Sequence, residues 1–191
     1  MPIERVAFGV TRSKCQCSEC VDNCRYIPGY LIPSDLERMI PPDEVPERWA
    51  RQHLRASQGA LIIRYYEDGR QEPMRIPTLV PAHVGGTGDN AFACHWLKNG
   101  LCEIHPVAPF GCAFFECRQS REQADRLSSQ GLRAISADFE QKGLYSRLWT
   151  MLWEEGLRSP DVALKRAALA ESFEKRQQRR RRNWLHPRRR Y

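Results

Sequence analysis

The chain has 191 residues, of which 41% are hydrophobic and 28% are charged, a composition typical of a soluble globular protein that can bury a core. It has no apolar run of roughly 20 residues and no signal-peptide segment, so we expect a cytoplasmic protein rather than a membrane, secreted or fibrous one. The net charge is +7, and residues 176–191 contain eight arginines and no acid. The remainder has 22 basic and 23 acidic residues, so the excess of positive charge comes from residues 176–191.

The first part of the chain favours loops and short helices. Residues 1–30 are polar with little apolar periodicity, which predicts an irregular loop held by something other than a hydrophobic core. Two short helices are expected next, one from an N-cap at Ser34 through Ile40 and one over residues 44–56.

Residues 59–81 favour a β-hairpin, because they are rich in β-branched and aromatic side chains around an Asp68-Gly69 turn signal. Pro73 and Pro77 place the returning strand at a sheet edge or make it irregular.

A second hairpin is predicted between residues 92–96 and 101–105, with the turn at Asn99-Gly100. This pairing would bring Cys94 and Cys102 close together across the ribbon.

The last third is predicted to be helical. Ser120 and Gln123 form a capping-box pattern at its start. About three helices with apolar faces follow, and Ser159-Pro160 is the expected start of the last one.

We therefore predict an α+β fold. A small irregular Cys-rich region with short hairpins, organised by metal–thiolate bonds, would precede about three C-terminal helices. One metal-binding domain would span residues 1–175, with a Cys-cluster part over 1–118 and a helical part over 119–175. Residues 176–191 would form a basic, Arg-rich tail.

Cysteine is the most informative residue type. The eight cysteines form two groups about seventy residues apart: Cys15, Cys17, Cys20 and Cys24, then Cys94, Cys102, Cys112 and Cys117. The cytosol keeps thiols reduced, so clustered cysteines in an intracellular chain indicate metal ligands before disulfides. We predict all eight as candidate thiolate ligands.

The spacing leaves the metal open. Eight thiolates match two four-sulfur sites, with tetrahedral zinc or iron–sulfur clusters, or one polynuclear site that draws on both groups. His95 and His105 lie beside ligand candidates, and either could replace a cysteine. We expect surface or structural roles for His53, His83 and His186.

The segment CHWLKNGLCEIHPVAPFGC, residues 94–112, resembles the YkgJ-type cysteine-cluster family, described as zinc- or iron-chelating. That family pairs an N-terminal CxxCxxCC-like group with a later C-x-I-[YH]-x2-R-P-x2-C segment. Cys102, Ile104, His105, Pro109 and Cys112 stand at the matching spacing, and Ala108 takes the place of the arginine. The resemblance covers roughly residues 15–117 and implies a metal-binding fold without a defined activity.

Our leading hypothesis is a cytosolic metal-binding protein that holds zinc or an iron–sulfur cluster. One alternative is a metal- or Fe–S-dependent enzyme, redox or methylase-like, since a related cluster occurs in flagellin lysine N-methylases. The sequence identifies no catalytic residue. Another alternative is a module that binds nucleic acid or an acidic protein through the tail, because clustered arginines neutralise phosphates. The tail candidates are Arg179, Arg180, Arg181, Arg182, Arg188, Arg189 and Arg190.

Overall fold

The computed structural model of the chain combines helices with small antiparallel sheets, which confirms the predicted α+β class. The structure describes residues 17–59, 61–84, 93–99, 101–104, 107–113 and 120–160, and residues 164, 165, 167, 170, 171, 173–175, 177 and 178.

Cys20 and Cys24 lie in a helix and not in the predicted irregular loop. Helix α1 (Ser18–Tyr26) contains Cys20 and Cys24, and Cys17 caps it through its sulfur, which accepts the Cys20 N–H at 3.5 Å. The prediction was wrong here because it relied on apolar residues, whereas Cys17, Cys20 and Cys24 recur at i, i+3 and i+7, the spacing of one helix face.

Helix α2 (Pro33–Met39) begins at a proline rather than at the predicted Ser34 cap. The start of the helix is held by a carboxylate instead of the expected serine hydroxyl. Asp35, in the first turn, accepts the backbone N–H of the N-cap residue Ile32 at 2.9 Å. Proline suits the first helical position because its missing N–H would have no partner there.

Helix α3 (Pro46–His53) is shorter than predicted, because the chain becomes strand at Leu54. Strand β1 (Leu54–Ser57) pairs antiparallel with β4 (Thr78–Pro81), and Leu54 lies opposite Pro81. The long-range pairing overrides the helical propensity of this segment.

The predicted first hairpin forms from β2 (Leu61–Tyr65) and β3 (Gln71–Arg75). Its returning strand stops at Arg75, and the chain beyond Pro77 leaves β2 to become β4. Pro73 is accommodated because β3 pairs on one side only.

The second hairpin is present in a shifted position. Strands β5 (Leu97–Lys98) and β6 (Leu101–Cys102) pair next to Asn99, whose φ of 51° suits a tight turn. The predicted pairing of residues 92–96 is replaced, since His83 forms a bridge with Cys94 instead.

Helix α4 (Phe110–Ala113) leads towards the two long helices α5 (Arg121–Gln141) and α6 (Leu144–Glu154). The predicted cap of α5 is confirmed, because the Ser120 hydroxyl accepts the Gln123 N–H at 3.2 Å. All described residues between 164 and 178 are helical as well.

A single apolar cluster joins both halves of the chain. Its largest fully buried side chains come from the residues just before α2 and from α2, β1, β4, α4, α5 and α6: Leu31, Leu36, Leu54, Leu79, Phe110, Ile135, Tyr145, Leu148 and Leu152. Cys94 and Trp96 belong to the same cluster, so the hairpin region packs on the helical layer.

None of the helices in the described residues is both long and apolar enough to cross a bilayer.

Candidate metal centre

Six of the eight predicted thiol ligands are described, and all six are free of disulfide bonds. Cys20 and Cys94 are buried, Cys24, Cys102 and Cys112 are partly buried, and Cys17 is exposed. Cys15, Cys117 and His105 lie outside the described residues, as do the arginines of the predicted tail.

Cys94 is tied directly to the end of α1. Its backbone N–H donates to the carbonyl of Arg25 at 3.2 Å, next to Cys24. The N–H of Leu97 donates to the carbonyl of Cys94 at 2.9 Å. The backbone of Cys94 is therefore held on both sides.

Cys102 is brought to the same place by the second hairpin. It lies opposite Leu97 in the β5–β6 ladder, and the next residue, Glu103, donates its N–H to the carbonyl of Trp96 at 2.9 Å. This bond and the ladder pairing thus connect the residues that follow Cys94 to Cys102 and its neighbour.

Cys112 reaches the site through a close crossing of two backbones. The N–H of Gly111 donates to the carbonyl of Tyr30 at 2.9 Å, and the Cys112 thiol lies 3.7 Å from the carbonyl of Gly29. A Cβ atom at Gly29 would stand 2.0 Å from the carbonyl carbon of Gly111, so only glycine fits this crossing.

A buried carboxylate holds the start of α4. Asp35, 1% exposed, accepts the N–H of Phe110 at 2.8 Å and pairs with Arg38. Arg38 in turn donates to the carbonyl of Val107 at 2.7 Å. Burial raises the pKa of Asp35, while its bonds from Phe110, Ile32 and Arg38 oppose that rise. Asp35 and Arg38 thereby position the segment that carries Cys112.

The thiols of Cys24, Cys94, Cys102 and Cys112 are close enough to influence one another's ionisation. Burial, followed by the charge of Cys102, raises the pKa of Cys24 to about 11. Burial is also the main cause that raises the pKa of Cys94 to about 12 and that of Cys112 well above its ordinary value. At neutral pH the thiols of Cys24, Cys94 and Cys112 stay protonated unless a cation compensates the thiolate charges.

The donor chemistry fits a thiophilic cation, because sulfurs supplied by α1, the hairpin and α4 are those that zinc and iron–sulfur clusters use. The side chains do not form a ready-made shell: among the residues that the structure describes, no three His, Cys, Asp or Glu side chains are already grouped to hold a metal. Metal binding at these thiols would require their side chains to close around it.

Three histidines lie near Cys94. His95 packs on Trp96 with ring centroids 4.4 Å apart and on His53 at 5.2 Å. His83 stands directly across the bridge from Cys94. Burial, followed by the charges of Lys165, Arg55 and His95, lowers the pKa of His83 to about 3, so its ring is neutral at physiological pH.

Sequence reasoning did not single out His83 or Asp35. A signal for His83 did exist, because Leu79, Pro81 and His83 alternate along one strand and therefore share a face with period two. A histidine that continues an apolar strand face deserves the same scrutiny as one beside a cysteine.

Comparisons with protein-family models, with curated proteins and with solved structures gave no match. The resemblance to the YkgJ-type family therefore stays a prediction, as do the enzymatic and nucleic-acid alternatives.

Proposed function

We propose that the protein binds a thiophilic metal, as zinc or as an iron–sulfur cluster, through Cys24, Cys94, Cys102 and Cys112. One observation carries the proposal: thiols from segments far apart in sequence lie close enough that, besides burial, the charge of Cys102 helps to raise the pKa of Cys24, Cys94 and Cys112. Burial of several ionisable groups of the same kind without a compensating charge costs free energy, which a bound cation would offset.

The backbone around these thiols supports a specific site rather than a chance grouping. The bond from Cys94 to Arg25 and the bond from Gly111 to Tyr30 each join one thiol-bearing segment to the end of α1 or the residues after it.

With zinc, four thiolates would complete a tetrahedral shell and leave no open position, so the role would be structural. Cys15, Cys17, Cys20 and Cys117 would extend this site or form a second one. An iron–sulfur cluster would add electron transfer or redox sensing.

The test is elemental analysis of the full chain, expressed with zinc and iron available and purified without oxygen. We expect stoichiometric zinc or iron, with visible iron–sulfur absorption in the second case. Purified wild-type protein that contains neither metal would refute the proposal.

Single substitutions locate the ligands. Cys94→Ser and Cys112→Ser are expected to lose most of the bound metal, because hydroxyl is a poor substitute for thiolate. Cys17→Ser is the informative comparison, since serine can also cap α1. Retention of metal by Cys17→Ser excludes Cys17 as a required ligand, and metal bound equally by all three variants would contradict the assignment.

A further inference from the structure

The backbone places His83 beside Cys94 with a defined register. The N–H of Val84 donates to the carbonyl of Ala93 at 2.7 Å, and the N–H of His95 donates to that of Ala82 at 3.0 Å. These two bonds flank His83 and Cys94, which makes them a non-hydrogen-bonded antiparallel pair. In such a pair both side chains project from the same face, with Cβ atoms about 5 Å apart.

Side chains alternate along β4 and beyond it, so His83 shares a face with Leu79 and Pro81, both fully buried. The opposite face of β4 is buried as well. His95 is the neighbour of Cys94 in sequence, and its ring packs against His53 and Trp96.

The imidazole of His83 has unmet bonding capacity. Both ring nitrogens, Nδ1 and Nε2, are buried and have no hydrogen-bond partner. A neutral imidazole carries one N–H donor and one lone pair, and buried polar atoms without partners are rare in folded proteins. A buried imidazole nitrogen that accepts no hydrogen bond and lies beside a thiol is suited to bind a metal ion.

We propose that His83 is a nitrogen ligand of the metal bound at the cysteine cluster. The proposal rests on the proposed function and replaces one of its four thiolates by the imidazole, so the ligand set is mixed, with three sulfurs and one nitrogen. Imidazole is a common zinc ligand, with a Zn–N distance of about 2.0–2.1 Å against about 2.3 Å for Zn–S. The remaining ring nitrogen would carry the proton, as in other metal-bound histidines.

X-ray absorption of the full-length protein, at the edge of the metal that elemental analysis finds, separates the two ligand types by distance. We expect a nitrogen contribution in the wild type that is lost in His83→Ala and kept in His95→Ala, the control at the neighbouring histidine whose ring packs against His53. Metal affinity should fall at least about tenfold in His83→Ala, since even supporting residues cost 10- to 100-fold.

His83→Cys guards against a purely structural effect. It replaces one ligand by another, so metal binding should persist with one more sulfur and one less nitrogen, whereas His83→Gln should behave like His83→Ala. A wild-type spectrum with sulfur alone, or nitrogen lost only in His95→Ala, overturns the inference while the proposed function stands. Absence of metal from the wild type overturns the proposed function itself.

Discussion

A polar side chain in the helical layer and one beside the cysteines differ in whether their buried polar atoms make hydrogen bonds. The hydroxyl of Tyr145, on α6, donates to the carbonyl of Leu31 at 2.8 Å and accepts the N–H of Leu79 at 2.7 Å. The imidazole of His83, two residues beyond β4, has neither a donor nor an acceptor for its nitrogens.

The contrast shows where the chain supplies hydrogen bonds to its own buried polar groups and where it does not. A buried polar group with all its bonds made stabilises the packing around it, and one with none made costs about 1–3 kcal/mol. Asp35 and Tyr145 belong to the first kind. His83 belongs to the second, and this is the place where we expect a ligand to supply the missing interactions.

The largest effect is expected from Asp35→Asn. Its carboxylate accepts the N–H groups of Ile32 and Phe110 and pairs with Arg38, whose side chain is 11% exposed. An amide presents one NH₂ group to these donors and leaves the guanidinium without its counter-charge. Breaking a buried pair in this way costs about 3–5 kcal/mol, measurable as the free energy of unfolding in urea.

Glu37→Gln is the control for that experiment, because Glu37 lies on the exposed side of the same helix. Its effect should stay within about 0.5 kcal/mol. Equal losses in both variants would mean that the contacts of Asp35 do not hold α2 to the start of α4.

Metal binding should have the next largest effect on the free energy of unfolding. It acts on the region around His83 and Cys94. At a free metal concentration one hundred times the Kd, binding to the folded state alone contributes about 2.7 kcal/mol. For a chain of this length that raises the Tm by about 5–11 °C. Thermal unfolding with zinc(II), with and without a chelator, measures the shift.

Cys94→Ser should unfold at the same temperature with and without metal, because the site has lost a ligand. A metal-induced rise in Tm that is as large in this variant as in the wild type would place the stabilising metal elsewhere in the chain.

The sequence predicted those features that depend on neighbouring residues. The Asp68-Gly69 turn and the Ser120 cap were identified because each is specified within four residues. The division of the cysteines into two groups was visible too, although spacing alone left open whether the groups share a site.

Features that depend on distant pairing could not be read in the same way. The strand at Leu54 forms only because β4 is available to pair with it, and its own residues favour a helix as well. The position of His83 beside Cys94 follows from that pairing and from the bridge beyond it. Its role therefore emerges only after the register of three segments is known.

The smallest of the expected effects comes from Tyr145→Phe, which tests the buried polar group whose hydrogen bonds are both made. The substitution removes one oxygen and leaves the carbonyl of Leu31 and the N–H of Leu79 buried without their partner. We expect a loss of about 2 kcal/mol in unfolding free energy. Tyr30→Phe is the matched control, since the Tyr30 hydroxyl makes a single exposed bond of 3.4 Å to the carbonyl of Ser128, which water can replace. If the two tyrosines lose equal stability, burial does not set the cost of a missing hydrogen bond here, and the unpaired nitrogens of His83 lose their significance as a sign of an absent ligand.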